Sequence, residues 1–98
     1  MSGEEWTQGA GTDLRDVEAL ASGEVAATIR EAVKRYASSG LGDARDPMTA
    51  GPWRGRSRLR PDYADEYRVI FRRFPLQRLI RVERVRLRAA VYLDPPAS

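Results

Sequence analysis

The sequence contains no cysteine and no histidine, and Lys34 is its only lysine. Without cysteine, disulfide frameworks and thiolate zinc sites are excluded. Without histidine, the commonest metal ligand and the commonest general base are gone, and with them every Ser-His-Asp or Cys-His arrangement. Any catalysis has to run on carboxylate, tyrosine, arginine or the one lysine. No metal site and no cofactor are expected. Repeats, low-complexity tracts and dividing linkers are also missing. No apolar run approaches the length needed to cross a membrane, and the acidic, polar opening Met1 to Gln8 does not read as a signal peptide. The expected location is the cytoplasm, with no membrane partner.

What is present is arginine. The 98 residues, 42% apolar, suit one domain over 1–98 with its own core. The net charge of +3 hides a division. Residues 1–50 carry Arg15, Arg30, Lys34, Arg35 and Arg45 against nine carboxylates, whereas residues 51–98 carry twelve arginines against Asp62, Asp65, Glu66, Glu83 and Asp94. A GC-rich genome explains arginine in place of lysine, but not its concentration in one half. The asymmetry suggests a surface for nucleic acid or for an acidic protein segment.

The apolar period changes along the chain. A short strand is predicted at 4–7. Leu14, Val17 and Leu20 then recur at helical spacing, predicting a helix near 10–21 with Thr12 suited to be its N-cap and Asp13 and Asp16 near the positive dipole end. Ser22 or Gly23 punctuates. A second helix over 23–38 carries the stripe Val25, Ile29, Ala32, Val33 and Tyr36, an outward Glu31–Arg35 pair, and Gly40 as its C-terminal cap. Residues 41–52 read as a loop. From Trp53 the period is two. Strands are predicted at 54–59, 66–73 and 77–86, joined by turns at 61–65 and 74–76, and Asp94-Pro95-Pro96 ends regular structure. The expected architecture is α+β, two helices on one face of a three- to four-stranded antiparallel sheet. Arg54, Arg56, Arg58 and Arg60 alternate along the first of these strands and share its other face. Like charges facing across strands are destabilising, which argues for an anionic ligand.

Some residues have two readings at this level. Trp53 is either core or a platform for a base. Tyr36, Tyr67 and Phe71 read as core, Asp62 and Asp65 as turn residues, and Arg72, Arg73 and Arg78 as a solvated face. Arg81 and Glu83 lie on one strand face and could neutralise each other.

Arg58-Leu59-Arg60, then Glu66-Tyr67-Arg68-Val69-Ile70-Phe71, and finally Val85-Arg86-Leu87-Arg88-Ala89-Ala90-Val91-Tyr92 resemble, in order and spacing, the sheet of the RelE/ParE toxin superfamily. Trp6-Thr7, Asp13-Leu14-Arg15 and the 25–36 helix fit its opening strand and helical hairpin, so the resemblance spans nearly the whole chain. It implies a toxin that cuts mRNA in the ribosome without metal and is neutralised by an acidic antitoxin. The implied catalytic set is Arg68, Arg88, Tyr92 and Glu66, and the resemblance places Arg56 and Arg58 among the family's basic strand residues; Arg54, Arg60, Arg86 and Trp53 complete the RNA-binding candidates. Cleavage by a neighbouring 2′-OH needs a base, a clamp for the extra phosphorane charge and a proton for the leaving oxygen. Arg68 and Arg88 suit the clamp, Tyr92 can stack or orient a proton, and Glu66 can be the base or simply pair with an arginine.

The sequence departs from the family in three ways. Leu87 stands where many members have histidine, Arg58 stands where some have a lysine, and the 61–65 loop is longer than usual. A guanidinium is a poor base. A ParE-like poison of DNA gyrase, which needs no catalytic residues, and a non-catalytic RNA- or protein-binding member of the same fold are therefore the alternatives.

Overall fold

A computed structural model describes residues 3–45, 47–49 and 53–91. In chain order these form β1 (Gly3–Trp6), α1 (Gln8–Leu20), α2 (Gly23–Ser39), β2 (Asp43–Arg45), β3 (Ser57–Arg60), β4 (Tyr67–Phe74), a 3₁₀ turn (Pro75–Gln77), β5 (Leu79–Leu87) and α3 (Arg88–Val91). The sheet has five strands in the order β1-β5-β4-β3-β2. Among the described strands only the β1–β5 pairing is parallel. The α+β expectation holds, with one more strand than the sequence suggested.

Local chemistry sets the element ends. Thr7, not Thr12, caps α1: its hydroxyl accepts from the Ala10 N–H at 3.1 Å. Thr12 lies inside the helix and its Oγ1 accepts from Arg15 instead. Ser22 caps α2 through the Val25 N–H at 3.1 Å, with Glu24 in the first turn where the dipole favours a carboxylate. Gly40 ends α2 at φ 74°, a left-handed conformation that glycine adopts freely, and its N–H returns to the Tyr36 carbonyl. Glu31 reaches Lys34 rather than Arg35, because Arg35 is drawn to Asp62 at 2.8 Å.

Residues 41–52 are not all loop. Asp43–Arg45 pairs antiparallel with Arg58–Arg60 and forms the sheet edge. β3 starts later than predicted because Gly55 and Arg56 bond with the Met48 backbone instead of with β4. β5 starts later as well, since Arg78 closes the 3₁₀ turn in a left-handed conformation.

The two long helices cover one face. Leu14, Val17, Ile29 and Val33 pack with Leu59, Val69, Phe71, Ile80, Val82 and Val85 in one buried cluster. The inward residues of β5 break strict alternation between Val82 and Val85. A β-bulge explains this: Ile70 pairs with Arg84 and Phe71 with Val82, which leaves Glu83 as the extra residue. The bulge lets two valines three positions apart point the same way. Tyr36 and Phe71 meet at 5.3 Å, and Arg73 lies over both rings while donating to the Tyr36 hydroxyl, so Arg73 belongs to the core margin, not to a solvated face. On the opposite face, Trp53 and Ile70 make a small separate cluster with Met48. Among the described residues no helix is long and apolar enough to cross a membrane.

Candidate nucleic-acid interface

Alternation along β3 and β4 buries Leu59, Tyr67 and Val69 and turns Arg58, Arg60 and Arg68 to the open face. Two neighbours complete the group. β2 brings Arg45 and Asp43 alongside β3, and α3 begins at Arg88, whose backbone N–H bonds to the Glu66 carbonyl at 2.8 Å. Arg45, Arg58, Arg60, Arg68 and Arg88 thus line one cleft of about 290 Å³ with Asp43. Five guanidinium groups face one carboxylate. Arg60 meets Asp43 at 3.1 Å and Arg45 meets it at 3.9 Å. Arg68 is held by its own turn, donating to the Asp65 carbonyl at 2.6 Å and the Tyr67 carbonyl at 2.8 Å. The cleft adjoins a wider concavity that Arg60, Arg68 and Arg88 share with Glu66 and Leu87. Glu66 forms no ion pair among the described residues, and Leu87, about half exposed, offers only an apolar wall. Forked donors at this density suit successive phosphates of a single strand.

Four of the sequence-predicted binding residues lie elsewhere or are engaged differently. Arg56 is locked to Glu83 at 2.8 Å, with both side chains under 15% exposed. The bulge supplies that partner, so Glu83 does not neutralise Arg81, which pairs with Glu5 on β1 and lies over the Phe74 ring. Trp53 is buried against Ile70, with no face open for stacking. Arg54 is exposed in the turn before β3, outside the cleft. Arg86 turns away entirely. Beyond Val82, β5 has no β1 partner, and Asp13 from α1 covers the open edge by accepting the Val85 N–H at 3.0 Å. Arg84 and Arg86 flank that residue and converge on the same carboxylate at 3.3 and 3.4 Å. Tyr92 lies outside the described residues.

The sequence reading missed Asp13, Asp43 and Arg45. Asp13 looks like an ordinary first-turn carboxylate, and its partners are more than 70 residues away. For β2 a weak signal exists: Asp43-Ala44-Arg45 alternates directly after the Gly40 cap.

No protein-family model matches the sequence, and no curated protein matches it. Solved structures do. The toxin–antitoxin complex RelBE2 from Mycobacterium tuberculosis contains a chain that superposes with TM-score 0.70 at 19% identity, covering 90% of this chain and 92% of that one. YafQ from E. coli gives 0.69 at 13% identity, over 91% and 96%. A YoeB/ParE toxin from Agrobacterium tumefaciens gives 0.65 at 17%, over 87% and 96%. The chain has the RelE/ParE toxin fold. At these identities the likeness concerns the fold, and the sequence resemblance pointed to the same one. Within the RelE/ParE frame the arginine cleft lies on the sheet face opposite α1 and α2, and the β2 strand forms one of its walls.

Proposed function

We propose that this protein is the toxin of a toxin–antitoxin pair and acts in the cytoplasm as a metal-independent endoribonuclease on ribosome-bound mRNA. The observation that supports this reading most is the convergence of Arg45, Arg58, Arg60, Arg68 and Arg88 in one cleft beside Glu66. In the proposed chemistry Glu66 takes the proton of the 2′-OH next to the scissile bond. That oxygen attacks the phosphorus, the 5′-oxygen of the following nucleotide leaves, and a 2′,3′-cyclic phosphate results. Arg68 and Arg88 stabilise the charge that builds on the phosphorane. Arg68 is well placed for this, because its bonds to two carbonyls fix the guanidinium before substrate arrives. Arg58 and Arg60 hold flanking phosphates. Tyr92 remains the candidate for stacking on a base or protonating the leaving oxygen.

The proposed partner is an acidic, amphipathic antitoxin. A groove between α1 and β5, lined by Val17, Leu20, Tyr67, Leu87 and Ala90, is suited to its apolar face. The RelBE2 neighbour was solved as a toxin–antitoxin complex.

Pulse-labelling after induced expression tests the target, with primer extension on translated mRNA as the molecular readout. Protein synthesis should fall first, with new 5′ ends inside reading frames. Arg68→Ala and Arg88→Ala should each cut about 10²–10³-fold more slowly with unchanged thermal stability. Early DNA damage with intact mRNA would instead indicate gyrase, and full toxicity of both variants would sink the ribonuclease reading.

A further inference from the structure

We infer that Asp43 is a built-in counterion that competes with phosphate for the arginine cleft, so that β2 governs how many phosphates the cleft holds; this rests on reading the cleft as a polyanion site. The register of the sheet places Asp43 directly opposite Arg60, and its two carboxylate oxygens are divided between Arg60 and Arg45. The cleft therefore has two halves. Among the described residues Arg58, Arg68 and Arg88 have no carboxylate partner, so a first phosphate meets them unopposed. Arg45 and Arg60 are already engaged, and a second phosphate has to displace Asp43 to reach them.

Exposure makes that displacement feasible. The Asp43 side chain is 37% exposed, Arg60 50% and Arg45 69%. Ion pairs this open are weak, since water competes for both partners. Phosphate offers a guanidinium the same forked geometry as a carboxylate, so the exchange loses little. The displaced carboxylate nevertheless stays on the cleft wall and repels the incoming charge. Asp43 thus tunes the site: it keeps free protein from holding stray anions on β2 and β3, and it favours a chain with several linked phosphates over a single ion.

The test compares wild type, Asp43→Asn, Asp43→Ala and Asp62→Asn. The last removes the same charge from a pair with Arg35 that lies away from the cleft. Binding is measured over a salt series with a single-stranded RNA oligonucleotide and, separately, with inorganic tripolyphosphate. Both Asp43 variants should bind RNA about fivefold more tightly at low salt, the effect of removing one unit charge at about 4 Å in water. Their log–log salt slope should steepen by roughly 0.7–1.4, for one or two added phosphate contacts. Asp62→Asn should match wild type. No gain in either Asp43 variant, or an equal gain in Asp62→Asn, overturns the inference. If no variant binds RNA, the nucleic-acid reading of the cleft fails, and tripolyphosphate alone then decides the role of Asp43: a gain on Asp43→Asn upholds it, and no gain rejects it.

Discussion

At the open edge of β5, Arg84 and Arg86 meet a carboxylate that is 2% exposed; across the sheet, Arg60 meets one that is 37% exposed. Arg56, held by Glu83 in a largely buried pair, resembles the first case. The same side chain therefore has two uses on one sheet. Around Asp13 and Glu83, arginine completes the fold: it satisfies a buried charge and helps seal a strand edge and a bulge. In the cleft, arginine is gathered beyond the supply of local carboxylates. Charge alone does not tell the two apart. What separates them is whether water, and hence a phosphate, can reach the counterion.

Four substitutions probe this division. Glu66→Gln has the largest expected effect. It should slow cleavage of ribosome-bound mRNA by about 10²–10⁴-fold, because the amide keeps the size and loses the basicity. Stability should hardly move, since the residue is exposed. Cutting at the wild-type rate would leave catalysis to the arginines alone.

Asp13→Ala comes next, and it should act on folding. It removes the buried carboxylate on which Arg84 and Arg86 converge and the acceptor of the Val85 N–H. Breaking a fully buried pair costs about 3–5 kcal/mol. Arg84 and Arg86 are 20% and 34% exposed, so about 2–4 kcal/mol is expected here. Thermal melting should fall by roughly 10–25 °C for a domain of this size. A melting point within a few degrees of wild type would show that the edge closure is dispensable.

The smallest effect sharpens the comparison within one strand region. Arg58→Ala should flatten the salt dependence of RNA binding by about 0.7, one phosphate contact on a single strand. Arg56→Ala should leave that slope alone and lower stability instead. Equal slopes for the two variants would erase the distinction between structural and binding arginines.

Much of the fold was legible because the period changes are strong. The helix stripes Leu14–Val17 and Ile29–Val33, and the alternation Tyr67–Val69–Phe71, leave little choice of face. The β2 strand was hidden because three residues are too few to show a period, and its partner lies beyond a long connection. The cleft was half legible. Arg58, Arg60, Arg68 and Arg88 follow from strand phase together with the family resemblance. Arg86 shows where phase fails as a guide. Opposite Arg68 in register, it has the open edge of β5 within reach, and a carboxylate from α1 draws it round that edge. Only the sheet order reveals that the edge is open there. Trp53 was ambiguous for a similar reason, since its neighbour Ile70 faces outward only because the sheet has a second, small apolar patch.

The pairing of β1 with β5 also bears on how this molecule comes into being. Gly3 lies beside Leu79, so the strand made earliest waits for one made among the last. Until then its backbone donors and acceptors have no ladder to join, and α1 has no β5 edge for Asp13 to close. Closure over so long a stretch of chain raises the entropic barrier and slows folding relative to local topologies. The interval between synthesis and closure is therefore a period in which the Val85 N–H still lacks the Asp13 carboxylate that accepts it in the finished fold. The cleft is exempt from that wait, since β2, β3, β4 and the β4–β5 hairpin that sets Arg88 beside Glu66 make no use of β1. A refolding experiment in which the Val85 amide gains protection from hydrogen exchange well before the β1–β5 amides would contradict that order.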